Sequence, residues 1–149
     1  MKSELSIDID RPREAVFDVV LKDVAAWSIT CVEDERLEDV DDGGVGTRFR
    51  IVTEERGRRT EMTGEVTAHD PPRSSRCYLV SDAFEIDVHY DFEELPTGTR
   101  VTQRSEVTFK GFMKVLMALL GWAFKKSACD AQLQELQAMK AYAEEQLPA

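Results

Sequence analysis

Apolar and polar residues alternate at the start of the chain. Leu5, Ile7 and Ile9 are separated by Ser6 and Asp8, the period of two that a strand imposes. Asp10-Arg11-Pro12-Arg13-Glu14 follows. It offers a capping residue, a proline suited to a first helical turn and a carboxylate for the positive helix end. The pattern predicts a short helix with Val16, Phe17, Val20 and Leu21 inward, then a second helical turn over Val24 to Trp27. From Cys31 to Lys110 the chain reads as successive strands. They are divided by turn signals at Asp41-Asp42-Gly43-Gly44, Arg56-Gly57, Asp70-Pro71-Pro72 and Pro96-Thr97-Gly98. Such spacing predicts a meander of antiparallel hairpins.

Two hairpins can be registered from side chains. With Pro96 to Thr99 as the loop, Phe92 faces Gln103, Tyr90 faces Ser105, Val88 faces Val107 and Ile86 faces Phe109. Asp91 then meets Arg104 and His89 meets Glu106 on the other face. Around Arg56-Gly57, Ile51 pairs with Met62, Phe49 with Gly64 and Thr47 with Val66. The outer face pairs Arg48 with Glu65 and Glu54 with Arg59. A slip of one residue would turn every apolar side chain outward, so agreement on both faces supports the register.

From about Phe112 to Gln146 the period becomes helical. Leu119, Trp122, Lys126, Cys129, Leu133, Leu136, Lys140 and Ala143 recur at steps of three or four. Met113, Val115, Leu116, Met117 and Leu120 widen the apolar face. That width predicts a helix whose N-terminal half is covered on more than one side. Gly121 marks a candidate kink, and Glu144 to Ala149 are expected to fray. A sheet with one apolar face needs a cover, and a helix of about 30 residues, roughly 45 Å long, can cross it. The expectation is one α+β domain over residues 1–149. It has a curved antiparallel sheet of about seven strands, two short helices after the first strand and a long C-terminal helix.

The order of these segments resembles the SRPBCC superfamily, which includes START domains, birch-pollen-allergen-like plant proteins, polyketide cyclases and coenzyme-Q-binding proteins. The run from Ile7 through Asp10, Pro12 and Glu14 to Phe17 is similar to the family's strand-proline-helix start. Trp27 follows the second helical segment, and Asp42-Gly43-Gly44-Val45-Gly46-Thr47 is similar to the plant allergens' glycine-rich turn. With the final helix, the resemblance covers nearly the whole chain. It implies a helix-grip fold with a cavity between sheet and helix. Members mostly bind lipids, sterols, polyketides or other apolar molecules, and a minority are cyclases or hydratases. No position here matches a family catalytic motif, so the resemblance assigns no catalytic residue.

Composition narrows the partners. At 42% apolar and 32% charged residues, the chain has the make-up of a globular protein and not of a disordered one. Its formal net charge of −10 argues against nucleic acid and anionic lipid as main partners. Cys31, Cys77 and Cys129 are odd in number and lack Cys-x-x-Cys spacing, which predicts free thiols in a reducing, cytoplasmic setting and no metal. Met1-Lys2-Ser3-Glu4 lacks the apolar core of a signal peptide. The stretch from Phe112 to Phe124 is interrupted by Lys114 and falls short of the ~20 residues a bilayer span needs, so no stable membrane insertion is expected.

Gly43-Gly44-Val45-Gly46-Thr47 runs into the strand pattern Arg48-Phe49-Arg50-Ile51, not a helix, so it reads as a turn and not as a phosphate loop. His69 and His89 have no second ligand at metal spacing. No Gly-x-Ser-x-Gly elbow is present. The acids at Glu33, Asp34, Glu35, Glu38, Asp39, Asp41 and Asp42 read as a solvated strand and turn.

More informative are polar residues on an apolar strand face. Gln103 and Ser105 share a side with Val101, Val107 and Phe109, and Tyr90 lies opposite. They either orient a ligand or bond to one another and to buried water. The residues expected to line the cavity are Phe17, Trp27, Phe49, Met62, Tyr78, Phe84, Tyr90, Phe92, Met113, Met117 and Phe124. The leading expectation is a cofactor-free binder or carrier of a lipid-, polyketide- or aromatic-like molecule. A cyclase or hydratase, with Tyr90 or Ser105 relaying protons, is the alternative. A third reading is an interaction module that docks a partner or second copy through Met113 to Trp122.

Overall fold

A computed structural model describes residues 1–149. Strand β1 (Lys2–Ile9) leads into helix α1 (Arg13–Lys22) and a short 3-10 turn (Val24–Ala26). Strands β2 (Cys31–Glu38), β3 (Arg48–Glu55), β4 (Arg58–Asp70), β5 (Ser74–Val80), β6 (Phe84–Leu95) and β7 (Gly98–Phe109) follow, then helix α2 (Gly111–Gln146). Pro12, not Asp10, occupies the N-cap of α1, and its carbonyl accepts the Val16 N–H at 3.0 Å. No side chain caps that helix; the Asp10 N–H donates to the Glu144 carboxylate at 3.1 Å.

The seven strands form one antiparallel sheet in the order β1-β7-β6-β5-β4-β3-β2. The first strand pairs with the last, which leaves β1 and β2 as edges. On β2, register shifts at Cys31/Glu33 and Arg36/Glu38, with a run of charged residues, blunt that edge against a stray strand.

The β3–β4 register is as the side chains imply. Ile51 pairs with Met62, Phe49 with Gly64, Arg48 with Glu65 and Glu54 with Arg59. The β6–β7 register differs. Leu95 pairs with Gly98, so the turn holds only Pro96 and Thr97, and every partner slides by two residues. Tyr90 therefore faces Gln103, Val88 faces Ser105, and Phe92 faces Val101. A slide of two preserves the faces. Arg104 still reaches Asp91 diagonally, whereas His89 lies opposite Arg104 and not Glu106. The tight turn seats Gly98 against the end of β1, where a Cβ would stand 2.2 Å from the Ile9 carbonyl oxygen.

The core has two parts. Ile9, Val16, Phe17, Val20, Trp27, Phe92, Val101, Leu136, Met139 and Ala143 join α1 and the second half of α2 to β1, β6 and β7. Cys31, Ile51, Met62 and Leu79 form the other part, with Phe49, Cys77, Phe84, Ile86 and Val88 half-buried around it.

Helix α2 runs unbroken for 36 residues, so Gly121 does not interrupt it. One glycine costs about 1 kcal/mol relative to alanine, too little to stop a helix of this length. Two other expectations are corrected. The first half of α2 is not covered on several sides: Leu119, Leu120 and Trp122 are exposed, and the helix buries only Leu136, Met139 and Ala143. Nor is the tail loose. Arg11 donates to the Glu144 carbonyl at 2.6 Å and the Leu147 carbonyl at 3.0 Å, while Lys140 donates to the Asp8 carbonyl at 2.6 Å. The apolar stripe is borne out only at its C-terminal end, where Leu136 and Ala143 pack together with Met139, while its earlier members Leu119, Trp122 and Leu133 stay exposed. No helix of the chain is long and apolar enough to cross a membrane.

Candidate functional site

Strand alternation places Phe49, Met62, Cys77, Leu79, Ile86, Val88, Tyr90, Gln103 and Ser105 on the concave face of the sheet. Two polar side chains from α2, Gln132 and Glu135, turn toward it. The Gln132 Nε2 amide donates to Gln103 Oε1 at 3.0 Å and to the Gln103 carbonyl at 3.3 Å. Gln103 Nε2 donates to the Tyr90 hydroxyl oxygen at 2.7 Å.

The direction of this relay follows from one backbone atom. The Gln103 carbonyl can only accept, so Gln132 must present its NH2 there. The same NH2 then meets Gln103 Oε1, which turns the Gln103 NH2 toward Tyr90. Tyr90 consequently accepts through its oxygen and keeps its O–H proton for another acceptor. At the opposite end, Gln132 Oε1 is buried and has no hydrogen-bond partner. The relay thus ends in one free donor and one free acceptor. Ser105, opposite Val88, does not join it.

Glu135 holds the helix beside this relay. Its Oε1 accepts the Ile29 and Thr30 N–H groups, each at 3.0 Å, and the Thr30 hydroxyl at 3.3 Å. Its Oε2 accepts the Ser28 hydroxyl at 2.6 Å. Four donors from the segment before β2 therefore converge on one carboxylate of α2.

The surroundings favour neutral groups. Burial pushes the Cys31 thiol up to about 11 and the Cys77 thiol up to about 12. Burial likewise raises the Tyr90 phenol, with a smaller opposing effect from the Gln103 hydrogen bond. Asp34 is also raised by burial, against the Val24 N–H that donates to it at 3.1 Å. No three His, Cys, Asp or Glu side chains converge as a metal site would require.

The expected lining residues separate into groups. Phe17, Trp27 and Phe92 are packed in the first core cluster: the Phe17 and Phe92 rings meet edge to face at 5.0 Å, and Trp27 Nε1 donates to the Val20 carbonyl at 2.9 Å. Met62 is buried in the second cluster, and Phe49 and Phe84 border it. Tyr78 is on the other side of the sheet, exposed and bonded to Glu85; alternation with inward Cys77 and Leu79 requires this. Met113 and Met117 are half-buried, whereas Phe124 is largely exposed. A cleft of about 540 Å3 opens between the β1–β7 margin and the first half of α2, lined by Val107, Phe109, Met117 and Trp122 among others. The relay lies outside it, four residues along β7 from Val107 to Gln103, or roughly 13 Å.

Gln132, Glu135 and Asp34 were not legible as site residues. Gln132 and Glu135 precede Leu136 and Met139 at helical spacing, a pattern that would have marked the inward face had the buried end of α2 set its phase.

Comparison with known proteins agrees with this architecture. The family described as polyketide cyclase / dehydrase and lipid transport matches residues 1–144. A search of curated proteins finds no match. Among solved structures, a START superfamily protein from Mycobacterium smegmatis superposes with a TM-score of 0.79 at 16% identity, covering 98% of this chain and 99% of its own. The aromatase/cyclase Zhui from a Streptomyces strain gives 0.78 at 15% identity, covering 100% and 96%. A protein of Thermus thermophilus gives 0.74 at 17% identity, covering 97% and 95%. At these identities the structures speak for a shared fold, and the family match over almost the whole length makes the chain a member of the polyketide cyclase / dehydrase and lipid transport family, within the SRPBCC superfamily.

Proposed function

We propose that this protein binds an apolar small molecule bearing a hydrogen-bond acceptor such as a carbonyl, laid against the concave face over Phe49, Cys77, Ile86 and Val88. The observation that carries this reading is the polarity of the Gln132–Gln103–Tyr90 relay, which leaves the Tyr90 O–H free to donate. Burial of apolar ligand surface supplies affinity at about 25 cal/mol per Å2 before the costs of association. Tyr90 supplies orientation. The family description, which couples lipid transport with polyketide chemistry, supports an apolar and oxygenated ligand class.

The test compares acetylnaphthalene with isopropenylnaphthalene, which have nearly the same shape but differ in the carbonyl. Wild type should prefer the ketone by about tenfold, the worth of one hydrogen bond. Tyr90→Phe should bind both alike. Equal binding of the two probes to wild type would remove Tyr90 from ligand recognition.

A second reading places catalysis on the same concave face. Asp34 favours it, because a carboxyl raised by burial holds its proton closer to neutral pH, as a general acid must. Turnover of a polyketide-like substrate that persisted in Asp34→Asn would dismiss this residue as the acid.

A further inference from the structure

The first half of α2 carries a surface that the sheet does not use. Phe112, Val115, Leu119 and Trp122 recur at steps of three or four and are 77%, 57%, 69% and 81% exposed. They form one apolar crest, about 15 Å long at 1.5 Å per residue. The charge of this region is as uneven as its hydrophobicity. Residues 107–129 contain Lys110, Lys114, Lys125 and Lys126 and no Asp or Glu, within a chain of formal net charge −10. Lys110 is engaged by Glu85 and the Ser81 carbonyl. Lys114, Lys125 and Lys126 form no ion pair and remain available.

We propose that this half-helix docks on the surface of a bilayer containing anionic headgroups. The crest enters the boundary between headgroups and acyl chains, where tryptophan is favoured, and the lysines meet the lipid phosphates. Charge selects this occupant over a second copy of the chain. Two copies meeting face to face would bring lysines against lysines. The acidic remainder of the molecule is repelled by the same lipid surface, so the basic face is the one that approaches. Trp122, Met117 and Lys125 also line the cleft at the β1–β7 margin, so docking brings the mouth of that cleft to the lipid. The inference stands apart from the ligand reading, because none of its residues belongs to the Tyr90 relay.

The test is flotation of the whole protein with vesicles of phosphatidylcholine alone or mixed with phosphatidylglycerol, at low and at half-molar salt. Trp27 is 7% exposed and bonded within the core, so a change in emission reports Trp122. The expected result is flotation with the phosphatidylglycerol vesicles only, a blue shift of emission, and loss of both in salt. Replacing Lys114, Lys125 and Lys126 together by Gln should weaken binding about a hundredfold, at ~1 kcal/mol per lysine near the surface. Leu119→Glu should abolish it. Both variants change exposed positions, and circular dichroism checks that they stay folded. Absence of flotation at low salt, or flotation indifferent to the lysine substitutions, overturns the proposal. So does a concentration-dependent dimer that is lost in Leu119→Glu while vesicles are ignored, which would assign the crest to a second copy.

Discussion

Replacing Gln103 by Leu removes the middle of the relay and tests whether it exists as drawn. Two hydrogen bonds disappear, Gln103 Nε2 to Tyr90 at 2.7 Å and Gln132 Nε2 to Gln103 Oε1 at 3.0 Å. Each is worth about 1 kcal/mol net. Gln132 keeps the Gln103 carbonyl at 3.3 Å, so part of its loss is recovered. The Tyr90 hydroxyl is left buried without a protein partner, which adds about 1–3 kcal/mol. The sum is about 2–4 kcal/mol. At about 2–4 °C per kcal/mol for a chain of this size, Tm should fall by roughly 4–16 °C. Tyr90→Phe should cost about the same, ~2–4 kcal/mol, since it removes one bond and strands the Gln103 amide. The double substitution strands neither partner. Its cost should fall below the sum of the singles by about 1 kcal/mol or more. Urea unfolding followed by circular dichroism measures all four proteins without a ligand. If the costs add to within about 0.3 kcal/mol, the amide and phenol are not coupled and the free Tyr90 proton has no basis.

Other positions give independent checks. In Gly98→Ala the new Cβ meets backbone, 2.2 Å from the Ile9 oxygen and 3.0 Å from the Asp10 Cα, and urea unfolding should show a loss above about 3 kcal/mol. In Gly64→Ala it meets the Phe49 ring at 2.4 Å and Leu79 Cδ2 at 2.7 Å, side chains that can swing, so the loss should be smaller, about 1–3 kcal/mol; equal losses would contradict this distinction. Glu135→Ala should cost about 2–4 kcal/mol and speed hydrogen exchange at the Ile29 and Thr30 amides, with Glu135→Gln intermediate; unchanged exchange would refute the clamp. Cys31 and Cys77 are raised from 9.0 to about 11 and about 12, so the native state keeps protons that the unfolded chain releases. Their contribution is whole below about pH 9 and is lost as pH rises through 11 to 12, a decline in the urea midpoint that Cys31→Ala with Cys77→Ala should flatten.

Strand faces were legible because their period is local. The β3–β4 register follows from paired charges and apolar residues around Arg56-Gly57, and the structure reproduces it. The β6–β7 register slid by two because one face pattern fits either a four-residue or a two-residue loop. What separates them is the packing of Gly98 on the end of β1, a contact between segments 89 residues apart. The site was half legible. Gln103 and Tyr90 stood out as polar residues on an apolar face, but their partner Gln132 sits on a helix whose apolar residues occur all round its first half. There the pattern cannot separate a covered side from one left for another surface. Net charge is an average in a similar way, and the value of −10 does not show that residues 107–129 lack any carboxylate.

The two halves of α2 therefore differ in kind. The second half is fastened at both ends of its contact with the domain, by Glu135 to the Ser28–Thr30 segment and by Arg11 and Lys140 near Glu144. Gln132 lies one turn before Glu135, on the same side of the helix. Its amide can set the direction of the relay only if the helix is fixed in rotation and height, because a shift of about 1 Å would break the bond to Gln103. The Glu135 clamp meets that requirement at the nearest available turn. The first half needs no such fixing, because a membrane surface imposes no register on the side chains that meet it. On this argument Glu135→Ala should also erase the preference for the ketone probe, through Gln132 and Gln103, although Glu135 itself touches neither Tyr90 nor the ligand. A Glu135→Ala protein that is destabilised yet still prefers the ketone tenfold would separate the clamp from the relay.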